Sequence, residues 1–213
     1  LSLAFNYALG GLNVWGYHAF NLTVHILSTL LLFGILRCSF VNSCVGERYR
    51  TRAPGLALAI SVLWLAHPLQ TQCVTYIIQR AELLGGFFYL LTLYCVIRGA
   101  TSGRGARLWH GGAILACALG MASKEFVVTA PFIILVYDRV FLSDTWKDLL
   151  RRRWKLHAGL AACWIILVAL LSTKPRTLVG FGMADLPPWD YAKTQFGTVL
   201  YYLRLALWPH PLI

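Results

Sequence analysis

Charge is scarce in this sequence. Only 13% of its 213 residues are Asp, Glu, Lys or Arg, and the acidic ones number 8. A soluble domain carries about 25% charged residues to keep its surface wet. With 58% hydrophobic residues, a soluble fold of this length has too little interior to hide its apolar side chains. An ordinary soluble domain is therefore excluded, and lipid is the solvent that remains. The Cys and His residues show no metal-ligand spacing, which excludes zinc sites of the ribbon or finger kind. There is no self-similarity at a period of about 20–50 residues and no low-complexity tract, so a solenoid is excluded too. The net charge of +11 does not point to nucleic acid. The basic residues lie between apolar runs, not on one face or tail, which is how charge marks membrane topology.

Seven apolar runs stand out: His18–Leu36, Ala53–Ala66, Leu83–Ile97, Leu108–Ala122, Phe126–Tyr137, Leu156–Leu171 and Phe196–Trp208. They predict an all-α, polytopic transmembrane bundle of about seven helices. Eight Trp, ten Tyr and eleven Phe suit the aromatic belts at the headgroup level. Several runs fall short of the ~20 residues a span needs; flanking Arg and Lys stems complete them by snorkelling. Ser123-Lys124-Glu125 alone divides the fourth run from the fifth, which reads as a tight hairpin or a kinked pair.

Counting Lys and Arg in alternate loops orients the chain. Arg37, Arg48, Arg50, Arg52, Arg98, Arg104, Arg107, Arg139, Lys147, Arg151, Arg152, Arg153 and Lys155 fall on one side, thirteen in all. The other six are Arg80, Lys124, Lys174, Arg176, Lys193 and Arg204. The richer side is cytoplasmic by the positive-inside rule. Of the six Cys, Cys73 alone then lies outside, so no disulfide is expected. The chain divides into an uncharged interfacial segment Leu1–Tyr17, with a turn at Gly10-Gly11, and a helix bundle His18–Trp208 that carries an outer loop at Ser172–Gln195. It begins without Met and stops just after an apolar run, so it reads as a fragment.

The few polar groups on the outer side are the candidates for chemistry. The densest cluster is His67-Pro68-Leu69-Gln70-Thr71-Gln72 with Tyr76, Gln79, Arg80 and Glu82. In a helix, Tyr76, Gln79 and Arg80 share a face. Arg80 is a permanent cation with five donors, suited to a phosphate at the lipid surface. Ordinary interfacial anchoring of Arg80 and Glu82 is the plainer account. Lys124 and Glu125 interrupt an apolar stretch, and charges near membrane depth usually face a bundle interior or wet cavity. A simple turn reaching the interface is the alternative. His18, Asn21 and His25 form one polar stripe, expected to serve interhelical hydrogen bonding. The basic stretch from Arg139 to Lys155, with Trp146 and Trp154, reads as an amphipathic surface helix against anionic lipid.

The segments NYALGGLNVWGYHAFNLTVHILSTLLLF, LWLAHPLQTQCVTYIIQRAELLGGFFYLLTLY, ASKEFVVTAPFIILVYDRVF and TQFGTVLYYLRLALWP carry a resemblance over nearly the whole chain. They are similar to the membrane part of the transmembrane O-mannosyltransferases with tetratricopeptide repeats and their bacterial relatives. These belong to the C-type glycosyltransferases (GT-C). The HPLQT…VTYIIQRAELL and SKE segments are the more specific. The resemblance implies transfer of a sugar, typically mannose, from a polyprenyl-phosphate donor to a hydroxyl of a protein or glycan acceptor. Transfer is on the non-cytoplasmic face of a bacterial inner membrane or endoplasmic reticulum, with inversion. It puts the catalytic carboxylate upstream of Leu1 and the repeats beyond Ile213, so this piece alone is expected to be inactive. Carried onto this chain, Arg80 and Lys124 match charged positions, as cations for the phosphate. Glu82 and Glu125 would orient them or the acceptor, and His67 would donate to a phosphate oxygen. The sequence specifies no metal cofactor.

Two other readings stand beside this one. A transporter or flippase for a lipid-linked sugar would use the same cations, but it favours paired inverted repeats, which are not visible here. A non-catalytic membrane anchor for soluble repeats would not need Arg80, Glu82, Lys124 and Glu125.

Overall fold

The computed structural model describes residues 2–42, 50–103, 105–173 and 188–209. Segments 43–49 and 174–187 lie outside the described residues, and with them Cys44 and most of the expected outer loop. Every regular element among the described residues is helical, as the composition predicts. Two units divide the chain, Leu1–Val168 and Ala169–Ile213.

The first unit opens with α1 (Ser2–Gly10). Gly11 follows at φ 57° and closes a turn by donating to the Tyr7 carbonyl at 2.8 Å; glycine takes this conformation at no steric cost. The chain then enters α2 (Val14–Asn42), 29 residues long. Helix α3 (Ala53–Leu65) starts with Pro54 in its first turn, where the missing N–H costs no hydrogen bond.

Three short pieces come next: a 3-10 turn Pro68–Gln70, α4 (Thr71–Thr75) and a 3-10 turn Ile77–Gln79. They lead into α5 (Arg80–Thr101). Tyr76 between them is extended, at φ −91° and ψ 108°. The expected single helical face of Tyr76, Gln79 and Arg80 is thus not formed. Asn21 Nδ2 donates to the Val74 carbonyl at 3.2 Å, the acceptor that a continuing helix would offer to Ile78. Thr71 and Thr75 turn their hydroxyls onto local carbonyls, a competition that disfavours long helices.

Helix α6 (Ala106–Ser123) ends at an extended Lys124. A 3-10 turn Glu125–Thr129, α7 (Ala130–Tyr137) and a π turn Asp138–Leu142 follow. Helix α8 (Trp146–Ala162) is kinked at Arg153 and runs on into α9 (Trp164–Thr173).

Three helical stretches are long and apolar enough to cross a membrane: Val14–Val41, Ile77–Thr101 and Trp146–Leu170. A fourth counts if Ala53–Leu65 and Pro68–Thr75, bent by 53°, form one broken span. The chain is an integral membrane protein. Among the described residues, three or four spans are supported, against about seven expected. The Phe126–Tyr137 run is split between a turn and an 8-residue helix, too short alone to span.

Helices α5 and α6 pack closely because glycines let them. A Cβ on Gly99 would lie 2.5 Å from His110 Cδ2, and one on Gly120 3.2 Å from Phe88 Cβ. Small residues at such contacts are how helices associate where lipid supplies no hydrophobic drive. Val96, Ala113, Cys117, Val127, Ile134 and Leu160 form the centre of this packing. On α2, Asn21 and His25 are buried while Leu22, Ile26 and Leu30 are exposed. The polar stripe therefore faces protein, except at His18, which is exposed at its end. The second unit contains α10 (Pro188–Leu207), whose Phe196, Leu200, Leu203 and Leu207 are exposed.

Candidate functional site

Lys124 owes its position to the end of α6. Its extended backbone, φ −155° and ψ 144°, turns its side chain toward the start of α5. There Nζ lies 2.8 Å from Glu82 Oε1 and 4.0 Å from Glu125 Oε2. A Cβ on Gly85 would sit 3.0 Å from the Phe126 ring and 3.2 Å from Lys124 Cβ, so the glycine makes room for both. The three ionic side chains are a third to a half exposed. The hydrogen bond to Glu82 outweighs partial burial and holds the Lys124 pKa above its ordinary value. An ammonium has three donors, so Lys124 can keep Glu82 and still offer N–H groups to an anion.

Glu82 lines a cleft of about 390 Å³ with Ser28, Trp64, Gln70, Cys73 and Phe126. Tyr89 joins the same wall and stacks on Phe126 at 6.5 Å between ring centres. The cleft is apolar with one carboxylate at its edge, a form suited to an amphiphile with a polar end.

Arg80 lies elsewhere. Two residues along a helix rotate a side chain by about 200°, so Arg80 opens on a different cleft from Glu82, with Ser2, Phe20, Ala122 and Ser123. It is 1% exposed. Its Nε donates to Asn21 Oδ1 at 2.9 Å, and Nη2 donates to the Tyr17 carbonyl at 3.1 Å. Nη1 donates to the Ser2 carbonyl at 3.2 Å and to Asn6 Oδ1. Its guanidinium also lies over the Phe20 ring, 4.4 Å from the centroid. Four of the five N–H groups are thus committed to α1 and α2. In this arrangement Arg80 is a clasp tying α5 to the N-terminal segment, and one N–H is left for anything else.

His67 stands at the entry to the turn Pro68–Gln70, where its Nδ1 accepts from the Leu69 N–H at 3.3 Å. That leaves Nε2 as a donor. It lines a third cleft, with His25, Thr71 and Thr75. Of the five expected site residues, the structure brings together Lys124, Glu82 and Glu125. Arg80 and His67 open on other clefts, with Gln70 shared between those of Glu82 and His67.

A fourth cluster was not anticipated. Asp138 is fully buried and accepts from Arg153 Nε at 2.8 Å, Arg153 Nη2 at 2.6 Å and Ser143 Oγ at 2.8 Å. His157 Nε2 lies 2.9 Å from its other face. Burial alone would raise the Asp138 pKa, but hydrogen bonds from His157, Arg153 and Ser143 outweigh it and hold the carboxyl below its ordinary value. The sequence signal was an acid directly after an apolar run, in a chain with only 8 acids; a buried carboxylate there requires a cation.

The chain is similar to proteins of known kind. It is 36% identical over 141 residues to the human protein O-mannosyl-transferase TMTC2, covering 65% of this chain and 16% of that protein. It is 26% identical over 223 aligned positions to the Drosophila melanogaster protein O-mannosyl-transferase Tmtc2, covering all of this chain and 22% of the relative. Human TMTC4 is 31% identical over 147 residues, with 65% of this chain and 20% of that protein covered. No family model and no solved structure matches. The chain spans about a fifth of the length of these relatives, or less. Over the stretch it shares with them, the chain is similar in sequence to the protein O-mannosyl-transferases TMTC2 and TMTC4.

Proposed function

We propose that this chain is the donor-phosphate portion of a membrane O-mannosyltransferase. The donor is a polyprenyl-phosphate sugar, the acceptor a Ser or Thr hydroxyl of a protein, and transfer occurs on the non-cytoplasmic face. The observation that carries this reading is the Lys124–Glu82 pair, 2.8 Å apart, beside a cleft of about 390 Å³ lined by apolar and aromatic side chains. In the reaction the acceptor oxygen bonds to the anomeric carbon as the carbon–oxygen bond to phosphate breaks. The hydroxyl proton passes to a carboxylate base, and polyprenyl phosphate leaves. Negative charge grows on the phosphate as the sugar departs. A fixed cation in a poorly hydrated cleft stabilises that growth far more than water would.

Lys124 is the cation in this scheme. Glu82 and Glu125 hold its ammonium in place, and the cleft takes the first isoprene units of the carrier. Arg80 supports the site by fixing the start of α5.

The test is transfer by the full-length protein reconstituted in vesicles, offered polyprenyl-phosphate mannose, polyprenyl-phosphate glucose and a nucleotide sugar in turn. Transfer to a Ser/Thr peptide from a polyprenyl phosphate supports the reading. Transfer from the nucleotide sugar alone would sink it.

A further inference from the structure

We propose that the cleft between α2 and the 66–75 segment is a binding site for the hydroxyl of an uncharged membrane lipid. This cleft of about 440 Å³ is lined by Leu22, His25, Ile26, Leu65, His67 and Val74, among others. Two hydrogen bonds hold its walls together: Asn21 Nδ2 to the Val74 carbonyl at 3.2 Å, and His25 Nε2 to the Leu65 carbonyl at 3.2 Å.

His25 states what the ligand must be. A carbonyl oxygen only accepts, so the bond to Leu65 puts the ring proton on Nε2. Nδ1 is then a lone-pair acceptor. The side chain is 3% exposed, and Nδ1 is buried without a hydrogen-bond partner. A buried acceptor left unpaired costs about 1–3 kcal/mol, so a donor brought to it is rewarded. His67, on the same cleft, has the opposite need: its Nδ1 is taken by the Leu69 N–H, and its Nε2–H is a donor. His25 Nδ1 as acceptor and His67 Nε2–H as donor, from two residues that line one cleft with Gln70, Thr71 and Thr75, match a group that both donates and accepts, as a hydroxyl does.

The rest of the lining excludes charged ligands. No Asp, Glu, Lys or Arg lines the cleft, and an unpaired ion there would pay a large desolvation penalty. A phosphate would also bring no donor to His25. The apolar wall calls for an apolar body. Leu22 and Ile26, on its flank, are 50% and 44% exposed along a membrane-spanning helix, so the cleft is reached from the lipid. A lipid alcohol meets all of these conditions. A sterol and a diacylglycerol share that chemistry.

The experiment uses the full-length protein in phosphatidylcholine vesicles, with a photoactivatable cholesterol in one arm and a photoactivatable diacylglycerol in the other. Capture on peptides from α2 or the 66–75 segment is expected in at least one arm, and the arm that labels identifies the source. The unlabelled parent alcohol should compete about tenfold better than its methyl ether, which cannot donate. His25→Leu should lower capture about tenfold. Ile26→Trp, which fills the cleft and leaves every polar group in place, should lower it as well. If neither lipid labels the cleft, water satisfies Nδ1 and the proposal fails. It fails equally if the ether competes as well as the alcohol. Both of those readouts use the unmodified protein, so they stand even if a variant does not fold.

Discussion

Arg153 grips Asp138 with two hydrogen bonds across 15 residues of chain, and α8 bends where it does so. Arg153 has φ −130° in the middle of an otherwise regular helix. Trp146–Arg152, before the bend, is part of the Arg139–Lys155 stretch read from sequence as a surface helix; here Leu149 is buried, while Trp146 and Leu150 are exposed. The bend lies within the stretch Trp146–Leu170 that is long and apolar enough to cross a membrane. One buried ion pair thus holds the bend in α8 against the turn at Asp138.

Breaking that pair is expected to destabilise the protein. Asp138→Asn leaves Arg153 buried without its counter-charge, and removing one partner of a buried pair costs about 3–5 kcal/mol. Replacing both, as Asp138→Ala with Arg153→Met, should cost less than the two single changes added together. Thermal unfolding of the purified full-length protein in detergent reads all three. Additive single and double effects would show that the pair is not coupled.

The same carboxyl sets an acid limit. Its folded pKa lies below the ordinary carboxylate value. The stability it contributes is therefore complete above the unfolded value of about 3.9 and is lost as pH falls through the lowered folded one. Unfolding followed from pH 7 downward should show a loss in this window that is absent in Asp138→Asn. An identical acid profile in the variant would refute the assignment.

Lys124 should matter to transfer far more than to stability. Its ion pair with Glu82 is more than a third exposed on the lysine side, and exposed pairs contribute about 0–1 kcal/mol. Loss of a donor to developing charge commonly costs about a hundredfold or more in rate. Lys124→Ala in the full-length protein should thus keep its melting temperature within a few degrees and lose most of its transfer rate. Lys124→Arg should recover part of it, because charge returns without the geometry. Unchanged transfer in Lys124→Ala removes this residue from the site.

Arg80 should behave in the opposite way. From sequence alone, Arg80→Ala is expected to cut transfer sharply and to leave expression intact. Its buried guanidinium and four committed N–H groups argue instead for a stability loss of about 2 kcal/mol or more, because Asn6 and Asn21 lose their donor. Asn21→Leu should reproduce much of that loss. A variant Arg80→Ala that melts like the parent would show that the clasp is dispensable.

Topology is checked by labelling. Cysteine variants of Ser102 and Thr145 should react with an impermeant thiol reagent only once the cytoplasmic side is opened. Efficient labelling in intact cells, or in sealed vesicles with the outer face exposed, would reverse the orientation drawn from the Lys and Arg bias.

The helical class, the membrane setting and two of the breaks were legible in the sequence because they depend on composition and local pattern, whereas the breaks at Tyr76 and Arg153 were not. Apolar runs between basic loops predict spans, Gly10-Gly11 predicts the turn found at Gly11, and Ser123-Lys124-Glu125 predicts the break found at Lys124. The grouping of Lys124 with Glu125 also followed, since the two are neighbours in the chain. Pairing over distance was not legible. Lys124 meets Glu82 only because Gly85 lets Phe126 and the lysine stem approach α5.

What the sequence by itself determined is that lipid is this chain's solvent, where its charges concentrate and which family it resembles. Those properties are sums over residues and short windows, and no folding is needed to read them. The tertiary structure decided which polar groups are spent and which are left over. Arg80 and Lys124 look alike as outer-side cations, yet the helix turn between Arg80 and Glu82 sends Arg80 and the lysine's partner to different clefts. There Arg80 meets four protein acceptors and Lys124 meets a half-exposed carboxylate. Hydrogen-bond satisfaction depends on three-dimensional neighbours. For that reason the difference between a clasp and a candidate site is written in the packing and not in the order of the residues.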